Sequence, residues 1–328
     1  MKRLGPHQVN QSGTAFPFDG LFTGMLFFRT DLAKLYYYTG ATFAEIESAG
    51  SLATFEWETQ RVAGDFTTET AVPFISSFTS YPILTHTSQI NAATAGSGGS
   101  VRRVSKTGFR LTTAGGTTAA ISYFACTPGV WIVNDFLVWA FSAQMTDAAT
   151  GWMAPWPRPF SRTPAVFASN KKTSEADLGD GSVTLHAGLQ DDLADLDAGQ
   201  HTEFEPNAGQ TPFHAILIEP TGAAQSGNSI TSAGMGSWKA GHQIECGFFR
   251  NGAANASTIT FNTPFGAAPV GMLGAGNVTG GAVMHRNITA NPLVGSMTIE
   301  ITAGGTSNFI TWMAMTSGHN SVTARRLI

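Results

Sequence analysis

The chain has 328 residues, of which only 12% are charged, with 37 glycines and a net charge of −4. That balance excludes a basic nucleic-acid binder, and a hydrophobic share of 42% excludes a disordered chain. Glu, Lys and Leu, which build helices, are low and turn formers such as Gly and Ser abound, so composition predicts an all-β protein with many turns.

No apolar run reaches the ~18 residues that a membrane-crossing helix needs. The nearest, 130–141, is broken by Asn134-Asp135. Met1-Lys2-Arg3 has the charge of a secretory leader, but Leu4-Gly5-Pro6-His7-Gln8 is no apolar core. The expectation is synthesis in a cytoplasm without membrane insertion. Cys126 and Cys246 match neither a zinc pattern nor a disulfide framework. They are read as small buried hydrophobes.

In chain order, 1–51 reads as an attachment segment. Its centre holds two aromatic runs, Leu26-Phe27-Phe28 and Leu35-Tyr36-Tyr37-Tyr38, around a polar turn at 30–34. That is a β-hairpin signal. Residues 52–128 form a first strand-rich block and 129–220 a second, which carries an insertion at 175–205 with nine carboxylates and no Lys or Arg. Gly179-Asp180-Gly181 within it reads as a hairpin turn, as does Arg250-Asn251-Gly252 in a third block, 237–318. Residues 319–328 read as a polar C-terminal tail.

The three blocks share words. Ala-Gly-x-Thr begins at Ala114, Ala208 and Ala303, intervals of 94 and 95 residues, and each time feeds an apolar strand. Such even steps predict one structural unit in three copies. Each copy also has a Pro-Phe pair (Pro73-Phe74, Pro159-Phe160, Pro264-Phe265) and then a Pro before apolar residues (Pro82, Pro164, Pro269). Pro suits the start of a strand because it lacks a donor and extends the residue before it.

Two resemblances follow from these residues. The run from Gly24 through Leu26-Phe27-Phe28-Arg29-Thr30-Asp31-Leu32, Lys34-Leu35-Tyr36, Tyr38 and Gly40 to Phe43 resembles a hairpin motif common in bacteriophage tail fibres and related virion proteins. That motif usually ends in Trp where this chain has Phe43. The repeated block is similar to H-type lectin domains, best in the third copy through Phe261-Asn262-Thr263-Pro264-Phe265, Pro269-Val270 and Trp312-Met313-Ala314. The match is weaker in the first copy, which closes on Tyr123-Phe124-Ala125, and in the second, on Leu217-Ile218-Glu219. Together these imply an N-terminal β-hairpin segment followed by three small antiparallel β-sandwich domains. They imply a virion protein, a tail fibre or spike that binds host cell-surface glycans. Its partners would be itself as a homotrimer, other tail or baseplate proteins through 1–51, and host surface polysaccharide. The short link 126–130 favours the sandwiches as successive tiers over the alternative, three copies surrounding an axis within one chain.

No nucleophile motif, phosphate loop or metal-hydrolase helix is present, so no enzyme is expected. Comparing the copies, Arg102 and Arg103 follow Val101, His186 follows Val183, and His285 and Arg286 follow Val283. Long polar side chains recurring there are the glycan-binding candidates. Asp191, Asp192, Asp195 and Asp197 are the one candidate set for Ca2+, being clustered oxygen ligands outside the EF-hand pattern. Otherwise no cofactor is expected. A non-binding baseplate or head-decoration component is the alternative, and a glycan hydrolase comes last.

Overall fold

The computed structural model describes residues 9–15, 26–29, 34–46, 51–66, 68–90, 99–113, 118–134, 136–145, 152–155, 164–172, 186–188, 201–205, 211–219, 231–251, 255–274, 285–288, 290–302 and 308–327. Among the described residues every regular element is a strand. The chain divides into two compact units, Met1–Leu52 with Leu327–Ile328, and Ala53–Arg326.

In the first unit β1 (Val9–Gly13), β2 (Leu26–Arg29), β3 (Lys34–Tyr38) and β4 (Phe43–Ile46) form one sheet in that order. The two aromatic runs pair antiparallel, with Phe27 opposite Tyr36 and Arg29 opposite Lys34. The strands β3 and β4 are joined by a tight turn in which the Thr39 N–H donates to the Thr42 carbonyl at 2.8 Å. The Thr42 N–H returns to Thr39 Oγ1 at 3.1 Å. Gly40 takes the left-handed φ of 100° that this turn requires.

The second unit starts with β5 (Ser51–Ala63), β6 (Thr70–Pro73), β7 (Ile83–Ile90), β8 (Gly99–Arg102), β9 (Gly108–Thr113) and β10 (Thr118–Cys126). Then come β11 (Gly129–Val133), β12 (Phe136–Met145), β13 (Trp152–Pro155), β14 (Ala165–Lys172), β15 (His186–Gly188), β16 (His201–Glu205) and β17 (Thr211–Ile218). The last series is β18 (Thr231–Lys239), β19 (His242–Asn251), β20 (Asn255–Thr260), β21 (Val270–Leu273), β22 (His285–Ile288), β23 (Ser296–Thr302), β24 (Asn308–Met315) and β25 (Gly318–Arg326).

One pairing pattern occurs three times. Antiparallel on both sides, β10 lies between β5 and β7, β17 between β12 and β14, and β24 between β19 and β21. The registers agree as well. Cys126 opposes Trp57 and Ile83, Ile218 opposes Val138 and Ala165, and Met315 opposes Ile244 and Val270. Each triplet has a companion three-strand set, in the orders β6-β9-β8, β13-β16-β15 and β20-β23-β22. The first of these joins β14 through a parallel pairing of β8, so an 11-stranded sheet runs from β6 to β7.

Pro82, Pro164 and Pro269 each stand directly before a strand of a triplet. The same interval separates Pro73 from Ile83, Pro155 from Ala165 and Thr260 from Val270, so Pro159-Phe160 and Pro264-Phe265 share one offset from their strands and Pro73-Phe74 does not. The loops show which residues are equivalent. Phe74 and Phe78 donate their N–H groups to Thr107 and Lys106 at 3.0 and 2.8 Å, as Phe261 and Phe265 do to Gly295 and Val294 at 2.9 and 2.7 Å. Phe78, not Phe74, is therefore the counterpart of Phe265.

The Arg250-Asn251-Gly252 hairpin is not formed between its flanking strands. β19 pairs with β18 and β24, whereas β20 pairs with β23 in the companion set. The chain crosses layers there instead of folding back within one. The Ala-Gly-x-Thr turns and Gly179-Asp180-Gly181 lie outside the described residues, except for Thr211, which opens β17.

The triplet strands bury both faces. Ile121, Tyr123 and Ala125 of β10 pack with Val72, Val101, Phe109 and Leu111 of the companion set, making a β-sandwich core. Trp312 and Ala314 of β24 pack likewise with Ile259, Ile288, Met297 and Ile299. The alternate residues Phe124, Cys126, Ile216, Ile218, Met313 and Met315 all enter one further core, with Trp57, Trp131 and Trp238. Double burial explains why these strands read as unbroken apolar runs. It also overturns the arrangement in tiers, because all three triplets contribute to one core. Both cysteines are thiols buried in it, as read.

Polar contacts between triplets follow a cycle. Leu84 N–H donates to His214 Nδ1 at 3.0 Å, and Thr311 Oγ1 donates to the Val166 carbonyl at 2.8 Å. By register, His214 and Thr311 are equivalent, as are Leu84 and Val166. A second contact repeats too: His86 N–H to Ser169 Oγ at 2.9 Å, and Leu273 N–H to Thr87 Oγ1 at 2.9 Å. The seam between the second and third triplets also leaves room only for Gly274, where a Cβ would collide with Thr311 Oγ1 and the Val166 carbonyl.

Residues 319–328, expected as a tail, supply most of β25. This strand lies between β11 and β5, with Ala324 in the shared core and Arg326 5.6 Å above the Trp131 ring. It fills beside β5 the place that β11 fills beside β12 and β18 beside β19.

Candidate binding surface

Arg102 ends β8 and lies opposite Arg110 of β9, which lies opposite Ala71 of β6. Glu69 stands just before β6 and takes both cations. Its Oε2 is 3.2 Å from Arg102 Nη1 and its Oε1 is 2.9 Å from Arg110 Nη1. The Arg102 side chain is 6% exposed and that of Arg110 45%. The Arg110 guanidinium, hydrogen-bonded to Glu69, holds its carboxyl below the ordinary value; the charges of Arg102 and Arg103 act in the same direction. Arg103 is exposed and has a φ of 45°, uncommon for a residue with a side chain.

Arg103 opens the loop 103–107. Lys106 on this loop donates to the Thr79 carbonyl at 2.6 Å and sits 6.0 Å from the centre of the Tyr81 ring. Tyr81 is 65% exposed and Ile75 53%. An aromatic face with a cation beside it suits a sugar ring. Arg102 thus gains Arg110 and Glu69 as neighbours, and Arg103 shares its loop with Lys106. The available signal was the turn between Arg102 and Arg110, which brings two cations side by side once β8 and β9 pair.

The other candidates are not brought to the same position. His186 opposes Glu205, His285 opposes Thr302 and Arg286 opposes Ile301. The counterparts of Val101, which opposes Leu111, are Ala187 opposite Phe204 and Ile288 opposite Ile299. His186, His285 and Arg286 therefore precede that position, whereas Arg102 and Arg103 follow it. Counting from the nearest valine misaligned the copies because the preceding segments differ in length. Asp191, Asp192, Asp195 and Asp197 lie outside the described residues. Among the described residues no cluster of His, Cys, Asp and Glu suits a metal.

A second polar cluster is internal. Glu58, fully buried, accepts from Tyr123 Oη, from the Ile75 N–H at 3.0 Å and from His319 Nδ1 at 2.9 Å. Burial and Glu58 together push the Tyr123 phenol up. Glu56 takes the Thr79 N–H at 2.8 Å. The third group repeats this: Glu245 takes the Asn262 N–H at 3.0 Å and Gln243 the Gly266 N–H at 2.9 Å. These side chains anchor a loop by satisfying its buried donors. Compared with known protein families, curated proteins and solved structures, the chain finds no match.

Proposed function

We propose that this chain is a virion receptor-binding protein, a tail-fibre or spike component that adsorbs to host surface glycans. The observation that carries this reading is the triple occurrence of one strand register around a shared core. It supports three copies of a small lectin-like sandwich placed around a pseudo-threefold axis. Lectins of the resembling type gather such units from three chains; here one chain supplies all three. Clustering matters because weak single sites gain about 10²–10⁴ in avidity when linked. Attachment to tail or baseplate proteins, and assembly with further copies of the chain into a homotrimer, fall to 1–51. Binding rather than hydrolysis is favoured because the buried Glu56 and Glu58 are spent on backbone donors.

The test is retention of the full-length protein on an array of bacterial surface polysaccharides. Selective retention is expected, weakened in Tyr81→Ala. Retention on none of them would leave the purely structural baseplate or head-decoration role.

A further inference from the structure

We infer that the sheet face around Arg102 and Arg110 is a site for a carboxylate-bearing sugar. This rests on the glycan-binding reading and names its ligand class. Lys172 of β14 lies opposite Arg102, which lies opposite Arg110, so three cationic residues occupy adjacent positions in one ladder row. Like charges placed opposite one another destabilise a sheet. Glu69 is the carboxylate that pairs with both arginines, and Arg103 brings a further cation on strained backbone.

The fold itself does not call for these cations. The corresponding row reads Gly188, Glu203 and Met153 in the second group, and has Thr298 opposite Thr258 in the third. The same unit is thus built without a basic row, and a chain of net charge −4 concentrates one at this place. Glu69 fixes the two guanidinium groups in advance, which lowers the ordering cost of a ligand. Planar guanidinium forks match a carboxylate at two points.

The experiment is calorimetric titration of the full-length protein with polygalacturonate oligomers, dextran sulfate and neutral dextran, at low and high salt. Polygalacturonate is expected to bind, more weakly as salt rises, and dextran not at all. The exposed substitutions Arg103→Ala and Arg110→Ala should each cost about tenfold in affinity with unchanged melting, and Arg110→Lys should restore only part of it. Equal responses to dextran sulfate and polygalacturonate would mean bulk charge attraction and overturn the carboxylate site. Retention of a host polysaccharide that neither substitution weakens would overturn this inference and leave the receptor-binding reading standing. Retention of no polysaccharide would overturn both.

Discussion

At the scale of single residues, burial turns polar side chains into structural parts. Phe55-Glu56-Trp57-Glu58 alternates like a strand with one wet face, yet Glu58 is fully buried. Alternation tells which residues share a face but not what covers it, so the loop-anchoring role was illegible. The same holds for the histidines. Trp57 Nε1 donates to His242 Nε2 at 2.9 Å, and His86 Nδ1 is 3.0 Å from Ser169 Oγ. Burial depresses both imidazoles to about 4. A depressed histidine favours the folded state above its unfolded value, near 6.5, and loses that contribution as pH falls towards about 4. Stability should therefore drop between these limits by about 3 kcal/mol per histidine. Denaturant unfolding across this window checks it, and His86→Asn with His242→Gln should flatten the profile.

At the scale of elements, the strand starts after Pro82, Pro164 and Pro269 were legible because proline acts locally. So were the aromatic runs that become β2 and β3. The partners of β19 and β20 were not, since a turn signal does not say whether the chain folds back or changes layer. β25 was missed for a related reason: its polar sequence becomes a strand only because β5 and β11 leave a place for it. Thr59 Oγ1 bonds the Thr316 carbonyl at 2.8 Å, and His319 reaches Glu58, at the start of this closure. If β25 is integral to the shared core, Ala324→Asp should destabilise all of the second unit by roughly 3 kcal/mol through an unpaired buried charge. Global melting measures this. Fraying of β25 alone, with the rest unchanged, would make it peripheral.

At the scale of the whole second unit, the pairing pattern recurs at Cys126, Ile218 and Met315, intervals of 92 and 97 residues and not the 94 and 95 between the Ala-Gly-x-Thr words, so those words only roughly mark the triplets, and the shared core was not legible at all. A strand buried on both faces reads the same whether its second face meets its own sandwich or a neighbouring copy. The short link between β10 and β11 suggested stacked tiers. In fact it is enough, because β11 lies in the same 11-stranded sheet, beside β25 and β12. The central claim is that three copies close around one core within one chain. Hydrogen exchange of the native full-length protein under mild denaturant tests it most directly. The amides of Leu84, Val166 and Met272, one in each triplet, should open together with one free energy and one denaturant slope. Three separate free energies, each shifting alone when its own triplet is destabilised, would contradict the account.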